Sequence, residues 1–209
     1  MIIGISGKIG SGKDTAGQIL QDVTGWEIRK FADALKDCVC RIIGCTREQL
    51  EDREFKERPL GEEWNLWRVS GYTGEEYIFN TQKEGIETFG GYYRPVLQNL
   101  TPRKILQLLD TEAGRQIIHP NIWVNATFAG FDKSKDNIII TDIRFPNELE
   151  AVKNRGGITI RLERGDGDTG DHPSETALDN ANFDFVVDNN GTIKELGDKL
   201  NNILCNIKV

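Results

Sequence analysis

One stretch constrains this chain more than any other: Gly4–Leu20, GISGKIGSGKDTAGQIL. The short apolar run MIIGIS enters a glycine-rich turn, as a buried parallel strand would. Beyond the turn, Ala16, Ile19, Leu20 and Val23 recur at helical spacing, and Gly25 supplies a stop. Between strand and helix, Gly7, Gly12 and Lys13 fit the phosphate-binding pattern G-x-x-x-x-G-K-[ST]. In that geometry the backbone N–H groups of Gly10 to Thr15 converge at the positive end of a helix dipole, where phosphate oxygens bind. Lys13 adds a full positive charge. The pattern breaks at its last position, which holds Asp14, with Thr15 one place late. A hydroxyl at that point normally meets Mg²⁺. Thr15 can serve instead, and a carboxylate is itself a hard oxygen ligand. Asp14 and Thr15 are therefore the candidate metal ligands.

The remaining chain alternates strand and helix signals. WEIRKFA reads as a second strand, and DALKDCVCRIIG as a helix with Leu35, Val39, Ile42 and Ile43 inward. Thr101 is an N-cap followed by Pro102 at the first helical position, and Ile105, Leu108 and Leu109 give that helix an apolar face. NIIITD, ITIRLE and FDFVVD read as further strands and PNELEAVKNRGG as a helix. Thr192 and Glu195 form a capping box for a last helix lined by Ile193, Leu196, Leu200, Ile203 and Leu204. Such alternation predicts an α/β fold, a parallel sheet with helices on both faces. The expected organisation is a single domain over 1–209. Residues 59–100, rich in glycine and aromatics and without helical period, are expected to be an insertion of loops with room for a hairpin. The glycine-rich polar segment 163–175 is expected to be a lid.

Composition narrows the function classes. With 38% hydrophobic and 28% charged residues the chain should be well packed, and no apolar run approaches a membrane span. A net charge of −7 argues against wholesale binding to nucleic-acid backbone, though local positive charge can still hold phosphates. Cys38, Cys40, Cys45 and Cys205 lack the paired spacing of a zinc site and read as reduced thiols, used as small apolar residues of a cytoplasmic protein.

Phosphoryl transfer asks a protein for positioning and positive charge at the carboxyl ends of strands. TDIRFPNE meets that requirement, because Asp142 and Arg144 directly follow the strand NIII. Asp142 can help place Mg²⁺ or a substrate hydroxyl, and Arg144 can grip a phosphate bidentately. In TPRKILQLLDTEAGR, Arg103 and Gln107 lie one turn apart on a common face, which a ligand or solvent alone can explain. Lys36 lies on the helix after the second strand, where an acceptor phosphate could sit. Trp123 either stacks on a base or packs in the core, and core is the better single-residue reading. The segment RLERGDGDTGDHPSE carries Arg161, Arg164, His172 and Glu175, with His172 read as a structural hydrogen bonder; His119 carries no site signal. DNNGT fits adenine contacts and a plain strand-to-helix turn equally well.

Together, SGKIGSGKDT, FADALK, TPRKILQLLDTEAGR, IWVN, TDIRFPNE, HPSE and NNGTIKEL resemble, in order, the deoxynucleoside monophosphate kinases of bacteriophages, a branch of the P-loop kinases. GKDT is usual in that family. The resemblance implies ATP and Mg²⁺ as cofactors, with ATP held by Gly10, Gly12, Lys13, Asp14 and Thr15. A deoxynucleoside monophosphate acceptor would meet Lys36, Arg103, Asp110, Thr111, Trp123, Asp142, Arg144 and Glu148. Lys13, Arg144 and Arg164 would stabilise the charge that develops in transfer. Where the family more often has LGT, this chain has LDT, so Asp110 could exclude a close phosphate or could contact a base or sugar. The expected partner is the small-molecule acceptor, without nucleic acid or membrane and with room for a homodimer. The expected location is the cytoplasm, that of the host if phage-encoded. The alternatives are a P-loop kinase for another small acceptor, such as dephospho-coenzyme A or a sugar acid, and an ATP-binding sensor without transfer.

Overall fold

The computed structural model describes residues 1–71, 75–165 and 176–207. The chain divides into two compact units, Met1–Ala34 with His119–Val209, and Leu35–Ile118.

The first unit is built on five parallel strands: β1 (Ile2–Gly7), β2 (Glu27–Arg29), β6 (Ile138–Ile143), β7 (Ile158–Glu163) and β8 (Phe185–Asp188). Their order across the sheet is β2-β6-β1-β7-β8. After β1 the chain moves to one side of it for β2 and β6, then crosses back to the other for β7 and β8. The reversal leaves a crevice at the carboxyl end of β1, where open α/β sheets bind ligands. β1 is central, and Ile2 to Ile5 are buried as the apolar run requires.

Helices cover both faces. On one, α1 (Lys13–Thr24) and α9 (Ile193–Asn206) pack Ala16, Leu20, Leu196, Leu200, Ile203 and Leu204 against Ile3, Ile5, Ile139, Ile160, Leu162 and Val187. On the other, α7 (Ile122–Thr127) and α8 (Pro146–Asn154) bring Val124, Leu149, Ala151 and Val152 against Ile2, Phe31, Ile138, Ile140 and Ile143. Gly25, in the left-handed region at φ 73°, ends α1 by donating its N–H to the Gln21 carbonyl. Three residues expected inward are exposed: Val23, Ile42 and Ile193. Each lies in the first or last turn of its helix.

The second unit contains α2 (Asp33–Ile43, from Leu35 onward), α3 (Arg47–Glu51), α4 (Arg53–Glu57), a 3₁₀ turn at Glu62–Trp64 and α6 (Pro102–Gln107). Three antiparallel strands, β3 (Leu66–Ser70), β4 (Glu76–Phe79) and β5 (Val96–Gln98), form a sheet of order β4-β3-β5. A helix, α5 (Gln82–Thr88), lies between β4 and β5 in the chain. The stretch 59–100 is thus more ordered than loops and a hairpin. The cause is local: Thr81 caps α5 by accepting the Glu84 N–H, and Gly85 leaves room for Phe79 and Pro95, since a Cβ there would stand 2.8 Å from Pro95 Cγ. The glycine that lets the helix pack also erases its period.

α6 begins as expected at the Thr101 cap, but from Leu108 to Ile118 the chain is a π-helix. The wider turn shifts the apolar period, and Leu108 and Leu109 are only half-buried. The four cysteines are free thiols; Cys38 and Cys205 are exposed rather than apolar packing, and Cys45 Sγ lies 3.8 Å from Cys40 Sγ. No helix among the described residues is long and apolar enough to cross a membrane.

Candidate active site

The carboxyl end of β1 runs into the glycine loop, which β7 flanks closely. A Cβ on Gly7 would stand 2.7 Å from the Leu162 carbonyl oxygen, so only glycine lets the loop leave the sheet here. Gly12, at φ 92°, takes the left-handed conformation at the N-terminus of α1, and a Cβ there would meet Asn189 Nδ2 at 2.5 Å. Asn189 is buried at the end of β8, and its amide donates to the Ser11 carbonyl at 2.9 Å, fastening the loop to the far side of the sheet. The 12-residue α1 has no side-chain cap at its start. The N–H groups of its first turn have no intrahelical acceptors and can meet an anion. Lys13 reaches back across the loop, its ammonium 2.6 Å from the Gly7 carbonyl and 2.7 Å from that of Lys8.

Two buried side-chain oxygens lack a hydrogen-bond partner among the described residues, Ser11 Oγ in the loop and Thr141 Oγ1 on β6 against α1. A cavity of about 500 Å³ opens beside the loop, lined by Lys8, Ser11, Arg161, Arg164, Phe183 and Val186 among others. Arg164 stands where β7 ends. Arg161, nearly buried, donates to Ser6 Oγ at 3.0 Å and pairs with Asp179 at 3.1 Å.

At the end of β6, Asp142 accepts the N–H groups of Phe31 and Ala32 at 2.8 and 3.0 Å. It thereby ties the segment after β2 to the strand beside β1. Desolvation pushes the Asp142 carboxyl above its ordinary range, against those two hydrogen bonds and the charge of Arg144. Arg144 presents an exposed side chain. Its backbone is held by Glu148, which is 2% exposed and accepts the N–H groups of both Arg144 and Phe145 through Oε2, at 2.8 and 3.1 Å. Glu148 thus orients the loop that carries Arg144, a capping role at the start of α8. Trp123 is 4% exposed in α7, so the structure packs it in the core.

Asp14 and Thr15 lie in the first turn of α1, both exposed. Their oxygens, with the Asp142 carboxylate, are the hard donors that suit Mg²⁺. Among the described residues no group of three or more His, Cys, Asp or Glu side chains is placed to hold a metal ion. The Asp14 carboxylate accepts from Lys30 Nζ at 2.6 Å. Burial opposes the charge on Lys30, but Asp14, Asp142 and Asp33 together hold its ammonium above the ordinary lysine range.

The remaining predicted residues lie in the second unit. Lys36 pairs with Glu51 at 2.5 Å and Arg103 pairs with Glu57. Gln107, one turn beyond Arg103, is exposed. Asp110 pairs with Arg115 at 3.1 Å, a spacing of five that the π-helix brings onto one face, and Thr111 follows it. His172, Glu175 and most of the expected lid, 163–175, lie outside the described residues.

Sequence reasoning missed Lys30, and it read Asn189, within DNNGT, as a turn or an adenine contact rather than as the tie to Ser11. Both follow strands of the parallel sheet at their carboxyl ends, and the rule that singled out Asp142 and Arg144 applies to them equally.

The deoxynucleotide monophosphate kinase family model matches residues 75–200. A deoxynucleoside-5'-monophosphate kinase of Escherichia phage T5 is 27% identical over 218 residues, covering 85% of each chain. A protein of Acanthamoeba polyphaga mimivirus, provisionally named a deoxynucleotide monophosphate kinase, is 28% identical over 209 residues, covering 93% of this chain and 91% of its own. Among solved structures, the dephospho-CoA kinase of Campylobacter jejuni is 12% identical with a TM-score of 0.47, covering 99% of this chain and 96% of its own. The family match spans well over half of the chain, and on that match the chain belongs to the deoxynucleotide monophosphate kinase family.

Proposed function

We propose that this enzyme transfers the γ-phosphoryl group of ATP to a deoxynucleoside 5'-monophosphate, giving ADP and the deoxynucleoside diphosphate. The observation that carries the reading is the glycine loop with Lys13 at the carboxyl end of the central strand, in a chain of this family. In it, the N–H groups of the loop and of the first turn of α1, from Gly10 and Gly12 to Thr15, cradle the phosphates of ATP. Lys13, Arg144 and Arg164 stabilise the charge that spreads over the transferred group. Asp14 and Thr15 would hold Mg²⁺, and Asp142 would help to place it. When bound, the ion neutralises charge on the phosphates. The acceptor is already an oxyanion, so no general base is needed, and none of the residues above is asked to be one. Acceptor recognition is assigned, on the family resemblance, to Lys36, Arg103, Asp110 and Thr111 together with Asp142 and Arg144. Trp123 supports the site from the core, and Glu148 acts by holding the backbone of Arg144. The partner in this reading is the small-molecule acceptor, not nucleic acid, and the enzyme works in the cytoplasm.

The test is ADP release, measured with dGMP, dTMP, dCMP and dAMP in turn. At least one should accelerate it many-fold, and Lys13→Ala should abolish the acceleration while leaving the fold intact by circular dichroism. If no deoxynucleotide accelerates ADP release, the reading is wrong.

A further inference from the structure

We propose that Lys30 is the counter-charge that lets this phosphate loop carry a carboxylate where the usual pattern carries a hydroxyl, and that its ammonium competes with a divalent cation for Asp14. The inference rests on the ATP- and metal-dependent reading above. Asp14 occupies the last place of the loop motif, in the first turn of α1, where a triphosphate and its metal converge. An unpaired carboxylate at that place repels phosphate oxygens. Lys30 meets it at 2.6 Å, from the end of a different strand.

The aim of that side chain is built into the backbone around it. The N–H of Lys30 itself donates to Asp33 Oδ2 at 2.9 Å, and the next two N–H groups donate to Asp142. Three successive N–H groups are therefore held by carboxylates, which fixes the direction in which the Lys30 side chain leaves the chain. Asp14 is short and Lys30 leaves a fixed backbone, so less conformational entropy opposes this pair than one between two long surface side chains. Removing the ammonium would leave Asp14, Asp33 and Asp142 as neighbouring negative charges beside the loop.

The two halves of the proposal predict effects of opposite sign. Without metal, Lys30 neutralises Asp14, so Lys30→Met should weaken ATP binding. With metal, ammonium and cation contest the same carboxylate, so the same variant should need less Mg²⁺. Titration calorimetry with ATP, in EDTA and then across Mg²⁺ concentrations, reads both. Lys30→Met is expected to weaken ATP binding in EDTA by about five- to tenfold and to lower the half-saturating Mg²⁺ by a similar factor, the scale of one close charge screened by bulk water, as suits an exposed carboxylate such as Asp14. In the double variant with Asp14→Asn both shifts should shrink to about twofold or less. Lys30→Arg should retain the binding in EDTA, and Lys135→Met, a charge loss in the turn before β6, should match the unsubstituted protein throughout.

Unchanged ATP binding by Lys30→Met, or a weakening that persists beside Asp14→Asn, overturns the inference while leaving the kinase reading intact. Should the unsubstituted protein bind ATP only with Mg²⁺, the metal titration decides alone, and an unchanged or raised half-point overturns the inference. No ATP binding under any condition overturns both.

Discussion

Gly17→Ala tests how closely α1 is pressed onto the sheet, and hence what fixes the position of the loop. Gly17 is buried in α1 at the point where the helix crosses β6. A Cβ built on it would stand 2.4 Å from Thr141 Cγ2 and 3.7 Å from Ile28 Cδ1. Ordinary van der Waals contact begins at 3.4 Å, so the helix or Thr141 must yield about 1 Å. Thr141 is 2% exposed and β-branched, with little rotameric freedom, so the strain falls on the packing. Overpacking of this kind costs about 1–3 kcal/mol, while glycine to alanine within a helix contributes about 0.5–1 kcal/mol in the other direction. The net expectation is a destabilisation of about 1–2 kcal/mol, or a melting temperature lowered by roughly 2–8 °C for a chain of this size. Thermal unfolding followed by circular dichroism measures it. Thr141→Ser, which deletes the clashing methyl and keeps the hydroxyl, should recover most of the loss in combination, with a coupling of at least about 0.5 kcal/mol. A Gly17→Ala protein that melts at or above the unsubstituted one would refute the close approach. So would strictly additive effects of the two substitutions.

Two further outcomes follow from the same structure. Glu148→Ala leaves the N–H groups of Arg144 and Phe145 without their carboxylate and should destabilise by about 2–4 kcal/mol, whereas Glu148→Gln, which keeps an acceptor oxygen, should recover most of it; denaturant unfolding distinguishes them. In the second unit, burial opposes the charge on Glu51, but the Lys36 hydrogen bond and the charges of Lys36, Lys56 and Arg47 hold its carboxyl below the ordinary 4.5. Its contribution is therefore complete above pH 4.5 and lost as the pH falls through the depressed value. Glu51→Gln should flatten the dependence of melting temperature on pH below that point, and an unchanged profile would exclude Glu51 as a source of acid lability.

Much of this protein was legible along the chain. The glycine loop is a local object: strand, glycines, lysine and helix are contiguous, so Gly7, Gly12 and Lys13 declare its shape without help from distant residues. Alternating apolar runs likewise announced the parallel sheet, because strands buried on both faces must be continuously apolar. Asp142 and Arg144 were legible because the carboxyl ends of such strands share one edge of the sheet. Other features depend on what lies across space. Lys30 is an ordinary cation until the ends of β2 and β6 bring it to Asp14, 16 residues away. Glu148 reads as a substrate contact by motif, but its burial and its two backbone donors give it a capping role. Gly85 hid α5, and the π-helix moved Asp110 onto the face of Arg115, since neither packing space nor helical width is written in local periodicity. By itself, then, the sequence determined the fold class and the glycine loop between β1 and α1, which depend on neighbours in the chain. Tertiary structure alone decided which charges meet, because hydrogen bonds act only at contact and screened Coulomb energies fade over about 10 Å, and neither takes account of separation along the backbone.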